Sequence, residues 1–129
     1  LKGLSGGAND LRDLEAQAAQ GDARARLALD FLVHEARRWI GGYALELDGL
    51  DALVFTAGIG ENSPSVRAGI CERLDLFGLQ LDANRNAVAR AGEALISDPS
   101  SRVKVMVIPT NEELVVAREV KRLLEATGA

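Results

Sequence analysis

Apolar residues recur along the chain at two spacings, one typical of helices and one typical of strands. Over residues 22–47 they recur every three or four positions, which predicts one long amphipathic helix. Short apolar runs over residues 53–55, 94–96 and 103–108 predict strands, because such runs between turn residues are typical of buried strands. Helices that alternate with these strands indicate an α/β domain with a largely parallel sheet.

Turn residues and weaker periodicity assign the remaining segments. Asp98-Pro99 predicts a turn. Gly41 and Gly42 interrupt the long helix at a cost of about 1 kcal/mol each relative to alanine, which predicts close packing against another backbone. The other predicted elements are a loop over residues 1–9, helices over 11–20, 64–74 and 110–124, a short strand over 77–81, and a polar segment of uncertain type over 82–92.

One stretch, residues 51–64, joins a strand to a helix through glycines. Gly58 and Gly60 follow the predicted strand and predict a turn, and Ser63-Pro64 is a typical helix start. Backbone N–H groups at such a junction can approach a phosphorylated ligand closely. The stretch is therefore a candidate phosphate- or nucleotide-binding segment.

Spacing alone leaves two interpretations of the glycines open. A P-loop is excluded, because no Gly-Lys-Ser/Thr follows them. One open interpretation is a tight strand-to-helix connection without a ligand. The other is a dinucleotide-binding turn, in which Asp82 would be the ribose-binding acid, although Ser63 replaces the third glycine.

Composition and charge narrow the classes of function. The 129-residue chain is 47% hydrophobic, so residues 1–129 are predicted to form one domain with a buried core. A net charge of −4 with both signs mixed argues against a nucleic-acid surface and a basic membrane-binding face. A single cysteine, Cys71, excludes an internal disulfide and suits a reducing compartment. No apolar run approaches the ~20 residues of a membrane span, and a chain that begins at Leu1 is expected to be a piece of a longer reading frame.

Three sequence motifs resemble those of acetate kinases and their short-chain carboxylate kinase relatives, and they occur in the same order as in that family. Phe55-Thr-Ala-Gly-Ile-Gly-Glu-Asn-Ser63 resembles the nucleotide-binding loop. Leu4-Ser-Gly-Gly-Ala-Asn-Asp-Leu-Arg-Asp13 resembles the segment that ends in Ser-Asp-(Met, Phe or Leu)-Arg-Asp, with Asn9 where serine is common. Val107-Ile-Pro-Thr-Asn-Glu-Glu-Leu114 resembles the C-terminal signature. The resemblance covers essentially all of this chain and the C-terminal third of the family's protein.

The resemblance implies a fold and a set of ligand-binding residues. The family belongs to the acetate and sugar kinase, heat-shock chaperone and actin superfamily, whose members have two ribonuclease-H-like α/β domains with ATP between them. It implies a Mg²⁺-associated carboxylate at Glu112. The implied nucleotide contacts are Asp10, Leu11, Arg12, Gly58, Ile59, Gly60, Glu61 and Asn62. From the residues alone, Asp10 and Arg12 are more typical of a helix cap and a solvated arginine.

The resemblance also implies a reaction, with ATP and Mg²⁺ as cofactors. Acetate kinase transfers the γ-phosphoryl group of ATP to acetate and gives acetyl phosphate. The family's phosphate-binding lysine, substrate arginines, catalytic aspartate and histidine lie mostly in its N-terminal two-thirds, and none of those motifs appears in this chain. Phosphoryl transfer requires positive charge around the transferred group, so the chain alone is expected to be inactive.

Partners and alternatives follow from the same family. It implies a cytoplasmic homodimer, and Trp39-Ile40-Gly-Gly-Tyr43 is a patch that either contributes to the dimer or faces the rest of the enzyme. Acetate or acetyl phosphate would bind through the N-terminal part, and no nucleic acid or membrane partner is expected. One alternative is a propionate or butyrate kinase. Another is a nucleotide-binding or interaction module without catalysis.

Two adjacent acids in the C-terminal signature have different predicted tasks. Thr110-Asn-Glu-Glu113 has the spacing of a capping box, in which Glu113 would bond back to the N–H of Thr110. Glu112 is rotated by about 100° and has no capping task. The resemblance implies a different role for it, because the residue that matches Glu112 in the family's signature is associated with Mg²⁺. From spacing alone, the simpler interpretation is that both acids favour the positive end of the helix dipole.

Overall fold

The structure is a computed structural model that describes residues 1–90 and 92–127, except the side chains of Glu112 and Thr127. A 3₁₀ helix covers Asp75–Phe77. The helices and strands, in chain order, are α1 (Lys2–Ser5), α2 (Leu11–Ala19), α3 (Ala23–Glu46), β1 (Ala52–Phe55), α4 (Ala57–Asn62), α5 (Pro64–Cys71), α6 (Ala83–Val88), β2 (Ala94–Leu95), β3 (Lys104–Val107) and α7 (Glu112–Thr127). Within the described ranges, no helix has the length and apolar character of a membrane span.

Strand β3 lies at the centre of a three-stranded sheet with the order β1–β3–β2. β1 pairs with β3 in parallel, from Ala52 opposite Lys104 to Phe55 opposite Val107. β2 pairs with the other edge of β3 in antiparallel orientation. A parallel pair needs a long crossover, and here α4, α5 and α6 supply it. The sheet is therefore mixed, with its longer ladder parallel.

The main core lies between this sheet and the helices α3 and α5. Val103, Val105 and Val107 are at most 1% exposed, in the alternation predicted for this strand. Val66 and Ile70 of α5 pack against the same cluster, together with partly buried residues of α3. Each fully buried aliphatic side chain contributes about 1.5–3 kcal/mol relative to an exposed one, so this core fixes the strand from which the glycine segment leaves.

A second, smaller core positions the beginning of α2. Leu14, Ala25 and Ala28 are almost completely buried where α2 packs on α3. Asp22 caps α3, because its carboxylate accepts hydrogen bonds from two backbone N–H groups in the first turn, at 2.8 and 3.0 Å. Since Leu14 lies one turn after Asp10, this core also fixes the residues that precede α2.

Three predicted segments differ from the structure. The strand predicted over residues 77–81 is wrong: Gly78 adopts a φ of +83° after the 3₁₀ helix, and only Leu81 forms a bridge, to Ser97. The loop predicted over residues 1–9 contains the short helix α1. The unassigned segment over 82–92 contains α6, which Asp82 caps. In each case a local turn or cap decides the conformation where hydrophobic periodicity is weak.

The close packing predicted at Gly41 and Gly42 is absent from the described structure. A Cβ atom at either position would meet no atom within 4 Å. Trp39 and Tyr43 on the same helix are 55% and 60% exposed, and their rings stack with centroids 6.1 Å apart. This side of α3 is therefore an open aromatic surface.

Candidate functional site

A cleft opens between the beginning of α2 and the junction of α4 with α5. Its volume of about 780 Å³ lies in the range typical of small-molecule sites. It brings together residues 10–12 and three of the predicted contacts from the glycine segment, Gly58, Ile59 and Asn62. Gly60 and Glu61 do not line it. The structure thus places six of the eight predicted nucleotide contacts around one space.

Asp10 and Arg12 form a fixed pair at one wall of the cleft. Asp10 is the N-cap of α2 and accepts a hydrogen bond from the N–H of Arg12 at 2.9 Å. Its carboxylate also accepts hydrogen bonds from the guanidinium of Arg12, at 3.1 Å from Nε and 2.7 Å from Nη2. These bonds lower the pKa of Asp10 to about 2. The guanidinium, with its side chain 87% exposed, is held in place by a carboxylate that stays ionised.

The glycine segment at the other wall is the helix α4, which corrects the predicted turn. The change of direction after β1 occurs at Ala57, which has a φ of +58°. A left-handed conformation costs a non-glycine residue about 1–3 kcal/mol, and such strain is concentrated at functional sites. Beyond Ala57 the chain is helical, and Asn62 Nδ2 donates to the carbonyl oxygen of Gly58 at 3.0 Å.

The two glycines of α4 serve different purposes. A Cβ atom on Gly60 would lie 3.1 Å from the backbone carbonyl carbon of Phe55 and 3.3 Å from its Cβ, so a side chain at this position would crowd β1. A Cβ atom on Gly58 would meet no atom within 4 Å, and Gly58 lines the cleft. Gly60 therefore serves the packing of α4, and Gly58 leaves open space in the cleft.

Arg67 is fully buried and holds the end of α4 against α6, although no motif marks it. Its guanidinium donates to the carbonyl oxygens of Gly60 at 2.8 Å and Glu61 at 2.9 Å. It also donates to Asn86 Oδ1 at 2.7 Å, and to the carbonyl oxygens of Asn86 at 2.8 Å and Ala89 at 3.3 Å. All of these acceptors are neutral, and desolvation lowers the pKa of Arg67 from its ordinary value. A buried charge is tolerated only when it is well bonded, so these contacts define the position of α4.

Glu61 joins α4 to the segment that precedes α7. Its Oε1 atom accepts hydrogen bonds from the backbone N–H of Thr110 at 3.0 Å and from the Thr110 hydroxyl at 3.3 Å. These bonds connect the motif over residues 55–63 with the C-terminal signature over residues 107–114. Glu61 thus has a structural contact that the sequence pattern did not indicate.

The cap of α7 differs from the predicted capping box. Glu61 already accepts the N–H and hydroxyl of Thr110, which the box would have used. Asn111 takes the capping position instead, and its Oδ1 accepts a hydrogen bond from the N–H of Leu114 at 2.9 Å. A long-range contact has therefore replaced the local one, and the predicted bond from Glu113 to Thr110 is wrong.

The predicted metal ligand, Glu112, begins α7, but its side chain lies outside the described part of the structure. Its backbone follows Thr110 by two residues and so lies near the contact with α4. Among the described residues, no cluster of three or more His, Cys, Asp or Glu side chains could hold a metal ion. Mg²⁺ in kinases is usually held by one or two carboxylates together with the nucleotide phosphates, and a site completed by a nucleotide fits this arrangement.

Glu15 lines the cleft although no motif marks it. It lies four residues after Leu11 on α2, so both side chains share one helical face. Its carboxylate accepts hydrogen bonds from the hydroxyls of Ser63 and Ser65 at the beginning of α5. Helical spacing from Leu11 was the only signal in the sequence that could have found it.

Arg90 is a second unpredicted residue of the cleft. It follows α6 and donates to the carbonyl oxygen of Asn62 at 3.4 Å. Because it reaches the cleft from a different element than Arg12, the space has a guanidinium on each side. No spacing in the sequence relates these two arginines.

His34 and Cys71 do not line the cleft. His34 is exposed on α3. Cys71 is buried at the end of α5, and desolvation raises the pKa of its thiol to about 12. A thiol with such a pKa is not a nucleophile at neutral pH.

Comparison with known proteins gives the family. The model of the acetokinase family matches residues 1–118, which is most of the chain. The chain belongs to the acetokinase family. The resemblance of its three sequence motifs to those of this family is thereby confirmed.

The chain spans about one third of the length of the relatives that it matches. It is 50% identical over 123 residues to an acetate kinase of Heliobacterium modesticaldum, covering 95% of this chain and 30% of that protein. It is 54% identical over 123 residues to an acetate kinase of Geobacillus kaustophilus, covering 95% of this chain and 31% of that protein.

Solved structures of the acetokinase family have the same fold over this length. The crystal structure of Porphyromonas gingivalis acetate kinase matches with a TM-score of 0.86 and 36% identity, over 95% of this chain and 31% of that one. A propionate kinase from Francisella tularensis matches with a TM-score of 0.80 and 38% identity, over 92% of this chain and 29% of that one. The expected class, an α/β domain of the actin-like ATPase superfamily, is confirmed.

Proposed function

We propose that this chain forms one wall of the nucleotide site in a kinase that transfers the γ-phosphoryl group of ATP to acetate. The observation that carries the proposal is the single cleft lined by residues 10–12, Gly58, Ile59 and Asn62. Both segments belong to signature phrases of a kinase family. The products are ADP and acetyl phosphate, and the nucleotide lies in this cleft with its adenosine part against residues 10–12.

The groups around the cleft suit a nucleotide. The exposed guanidinium of Arg12 is planar, so it can stack on a base or donate a pair of hydrogen bonds. Gly58 lets a ligand approach the backbone of α4. The amide of Asn62, whose Nδ2 is bonded to Gly58, offers its Oδ1 as an acceptor.

Substitution of Gly58 in the intact enzyme tests the nucleotide site. Gly58→Ala places a Cβ in the cleft where it meets no protein atom, and Gly58→Val adds two methyl groups to it, so the KM for ATP rises in that order, by about tenfold or more for valine. Gly3→Val is the matched control, because Gly3 is also a helical glycine with no atom within 4 Å of a Cβ. An unchanged KM for ATP in Gly58→Val, with normal thermal stability, contradicts the proposal.

Mg²⁺ bound to ATP is assigned to Glu112. Support comes from the bonds between Glu61 and Thr110, which bring the segment that carries Glu112 to the end of α4. In the intact enzyme, Glu112→Gln lowers kcat steeply and raises the Mg²⁺ requirement, while Glu113→Gln keeps most activity. Identical kinetics of the two variants across a Mg²⁺ titration would show that Glu112 does not act on the metal.

Residues 1–129 form one nucleotide-binding domain, and this domain by itself does not catalyse phosphoryl transfer. The family residues that organise acetate and the γ-phosphate have no counterpart in its motifs. An ATP- and acetate-dependent hydroxamate assay on the purified chain tests this, and turnover that survives repurification contradicts it. Nucleotide binding by an intact protein without any phosphoryl transfer would favour a non-catalytic nucleotide-binding module. A cytoplasmic location is proposed from the family alone.

Propionate is the second candidate acceptor, because the Francisella tularensis propionate kinase matches this chain at 38% identity. Butyrate extends the same series. The values of kcat/KM of the intact enzyme for acetate, propionate and butyrate discriminate among the three. Acetate is expected to give the highest value, and a higher value for propionate would reassign the substrate.

A homodimer is proposed through the patch Trp39-Ile40-Gly-Gly-Tyr43. The stacked, exposed rings of Trp39 and Tyr43 and the open space at Gly41 and Gly42 support a close contact with another surface. That surface is either a second copy or another part of the same enzyme. Sedimentation velocity of the intact enzyme at ~100 μM, where a micromolar dimer is mostly assembled, tests the dimer. A monomer alone contradicts it.

A further inference from the structure

A single side chain hydrogen-bonds the two walls of the cleft to each other. Among the hydrogen bonds of the described residues, those that connect α2 with the chain from Gly58 to Ser65 all end on the carboxylate of Glu15. The other contacts between these walls are apolar: Leu11 packs against the main core, which includes Val66 of α5, and α2 and α5 both pack on α3. Glu15 is therefore the polar contact best placed to set the distance between the walls.

The contacts of Glu15 form a short chain of hydrogen bonds that ends in α5. The hydroxyl of Ser63 donates to Glu15 Oε1 at 2.6 Å, and the hydroxyl of Ser65 donates to the same oxygen. Ser63, only 2% exposed, also accepts from the N–H of Val66 at 3.2 Å as the N-cap of α5. Hydrogen bonds in such a chain strengthen one another, and a carboxylate is favoured near a helix N-terminus.

We propose that Glu15 is a positioning residue that sets the width of the cleft for the nucleoside part of ATP. This inference rests on the proposed function. Glu15 and Leu11 share one face of α2, and Ser63 directly follows the glycine segment, so the bond fixes residues 10–12 relative to Gly58. Loss of the carboxylate leaves only apolar packing to hold the beginning of α2, and it changes the spacing that the nucleoside must match.

Glu15 acts through geometry rather than through charge on the ligand. A carboxylate repels phosphate groups, and its Oε1 atom is occupied by two hydroxyls. A neutral side chain of the same shape that still accepts these bonds should therefore replace it. The conservative variant Glu15→Gln meets that requirement, and Glu15→Ala does not.

Steady-state kinetics of the intact enzyme test the inference. Glu15→Ala raises the KM for ATP by about tenfold and leaves kcat and the KM for acetate within about twofold, because only nucleoside binding is affected. Glu15→Gln restores the KM for ATP to within about threefold of wild type. Glu46→Ala removes an exposed glutamate from the last turn of α3 and is the matched control. It leaves the KM for ATP, kcat and the KM for acetate unchanged. Equal effects of Glu15→Ala and Glu15→Gln, or no effect of Glu15→Ala, overturn the inference.

A double-mutant cycle with Ser65 provides the second readout. Ser65→Ala removes one partner of Glu15 and leaves the N-cap Ser63 in place, so folding is preserved. If Glu15 acts through this contact, Ser65→Ala has little further effect on the KM for ATP once Glu15 is alanine. Independent, multiplicative effects contradict the inference. Its failure is distinct from that of the proposed function, which fails if the wild-type enzyme does not use ATP or if Gly58→Val leaves the KM for ATP unchanged.

Discussion

The glycine helix α4 and the C-terminal helix α7 both carry family signatures, yet different interactions hold them. α4 has six residues, and Arg67 and Gly60 fix it against α6 and β1. α7 has sixteen residues, with a link to α4 through Thr110 just before it. Val116 and Val120 of α7 are 63% and 50% exposed. The short helix is held by contacts within this chain, whereas the long helix presents apolar surface.

This difference indicates which part of the site is preformed. Buried, fully bonded polar groups specify one arrangement, so the wall around α4 is rigid before a ligand arrives. Burial of apolar surface contributes about 25 cal/mol per Å², so the apolar side of α7 is expected to pack against another surface in the intact protein. Nucleotide recognition should therefore depend on α4, and assembly on the faces of α3 and α7.

The largest expected effect is the loss of the Arg67 contacts. Arg67→Met keeps the length of the side chain but leaves neutral oxygens from α4 and α6 without donors, which costs about 1–3 kcal/mol of stability for each buried oxygen left unpaired. Thermal and urea unfolding of the intact enzyme measure it. Arg102→Met is the matched control, because Arg102 is exposed and donates to one carbonyl oxygen, that of Phe77, at 2.6 Å. Equal loss of stability in both variants would show that α4 is not held by Arg67.

The next effect separates the two glycines of α4. Gly60→Ala forces a Cβ to within 3.1 Å of Phe55 and destabilises the enzyme by about 1–3 kcal/mol. Gly58→Ala meets no protein atom and leaves stability unchanged or raises it by up to about 1 kcal/mol, since alanine favours a helix. Unfolding curves of the two variants give the comparison. A larger loss of stability in Gly58→Ala than in Gly60→Ala would show that Gly58, rather than Gly60, is the glycine that packing requires.

A smaller effect is expected at the beginning of α7. Asn111→Ala removes the cap and costs about 0.5–2 kcal/mol of helix stability, which faster amide hydrogen exchange in the first turn of α7 would report. Thr110→Ser keeps both bonds to Glu61 and serves as the control. If Thr110→Ala, rather than Asn111→Ala, frees the first turn of α7, the capping box is the correct cap after all.

The smallest effect concerns the pH dependence of the Asp10–Arg12 pair. The hydrogen bonds from Arg12 lower the pKa of Asp10 from 3.8 to about 2 in the folded protein. The stabilisation is therefore present above pH 3.8 and is lost as the pH falls through about 2. The difference in melting temperature between wild type and Asp10→Asn should shrink between these pH values. A constant difference would show that the pair does not form.

Local signals in the sequence predicted most helices and strands. The structure departs from the predictions mainly where polar contacts join residues that are far apart in the chain. The alternation of Val103, Val105 and Val107 and the cap at Ser63 depend on neighbouring residues, so both were predictable. The buried position of Arg67 and the contact between Glu61 and Thr110 depend on residues far apart in the chain. The hydrophobic periodicity of the sequence does not predict such contacts. The glycine segment became a helix because a single residue, Ala57, takes the left-handed conformation that a glycine turn would have used.

The central claim is that the cleft between α2 and the α4–α5 junction holds the nucleotide. A crystal structure of the intact enzyme with a non-hydrolysable ATP analogue tests it most directly. The account predicts the adenosine part between Arg12 and Gly58, with α4 unmoved and the contact between Glu15 and Ser63 intact. Nucleotide bound elsewhere, with this cleft empty or closed, would contradict it.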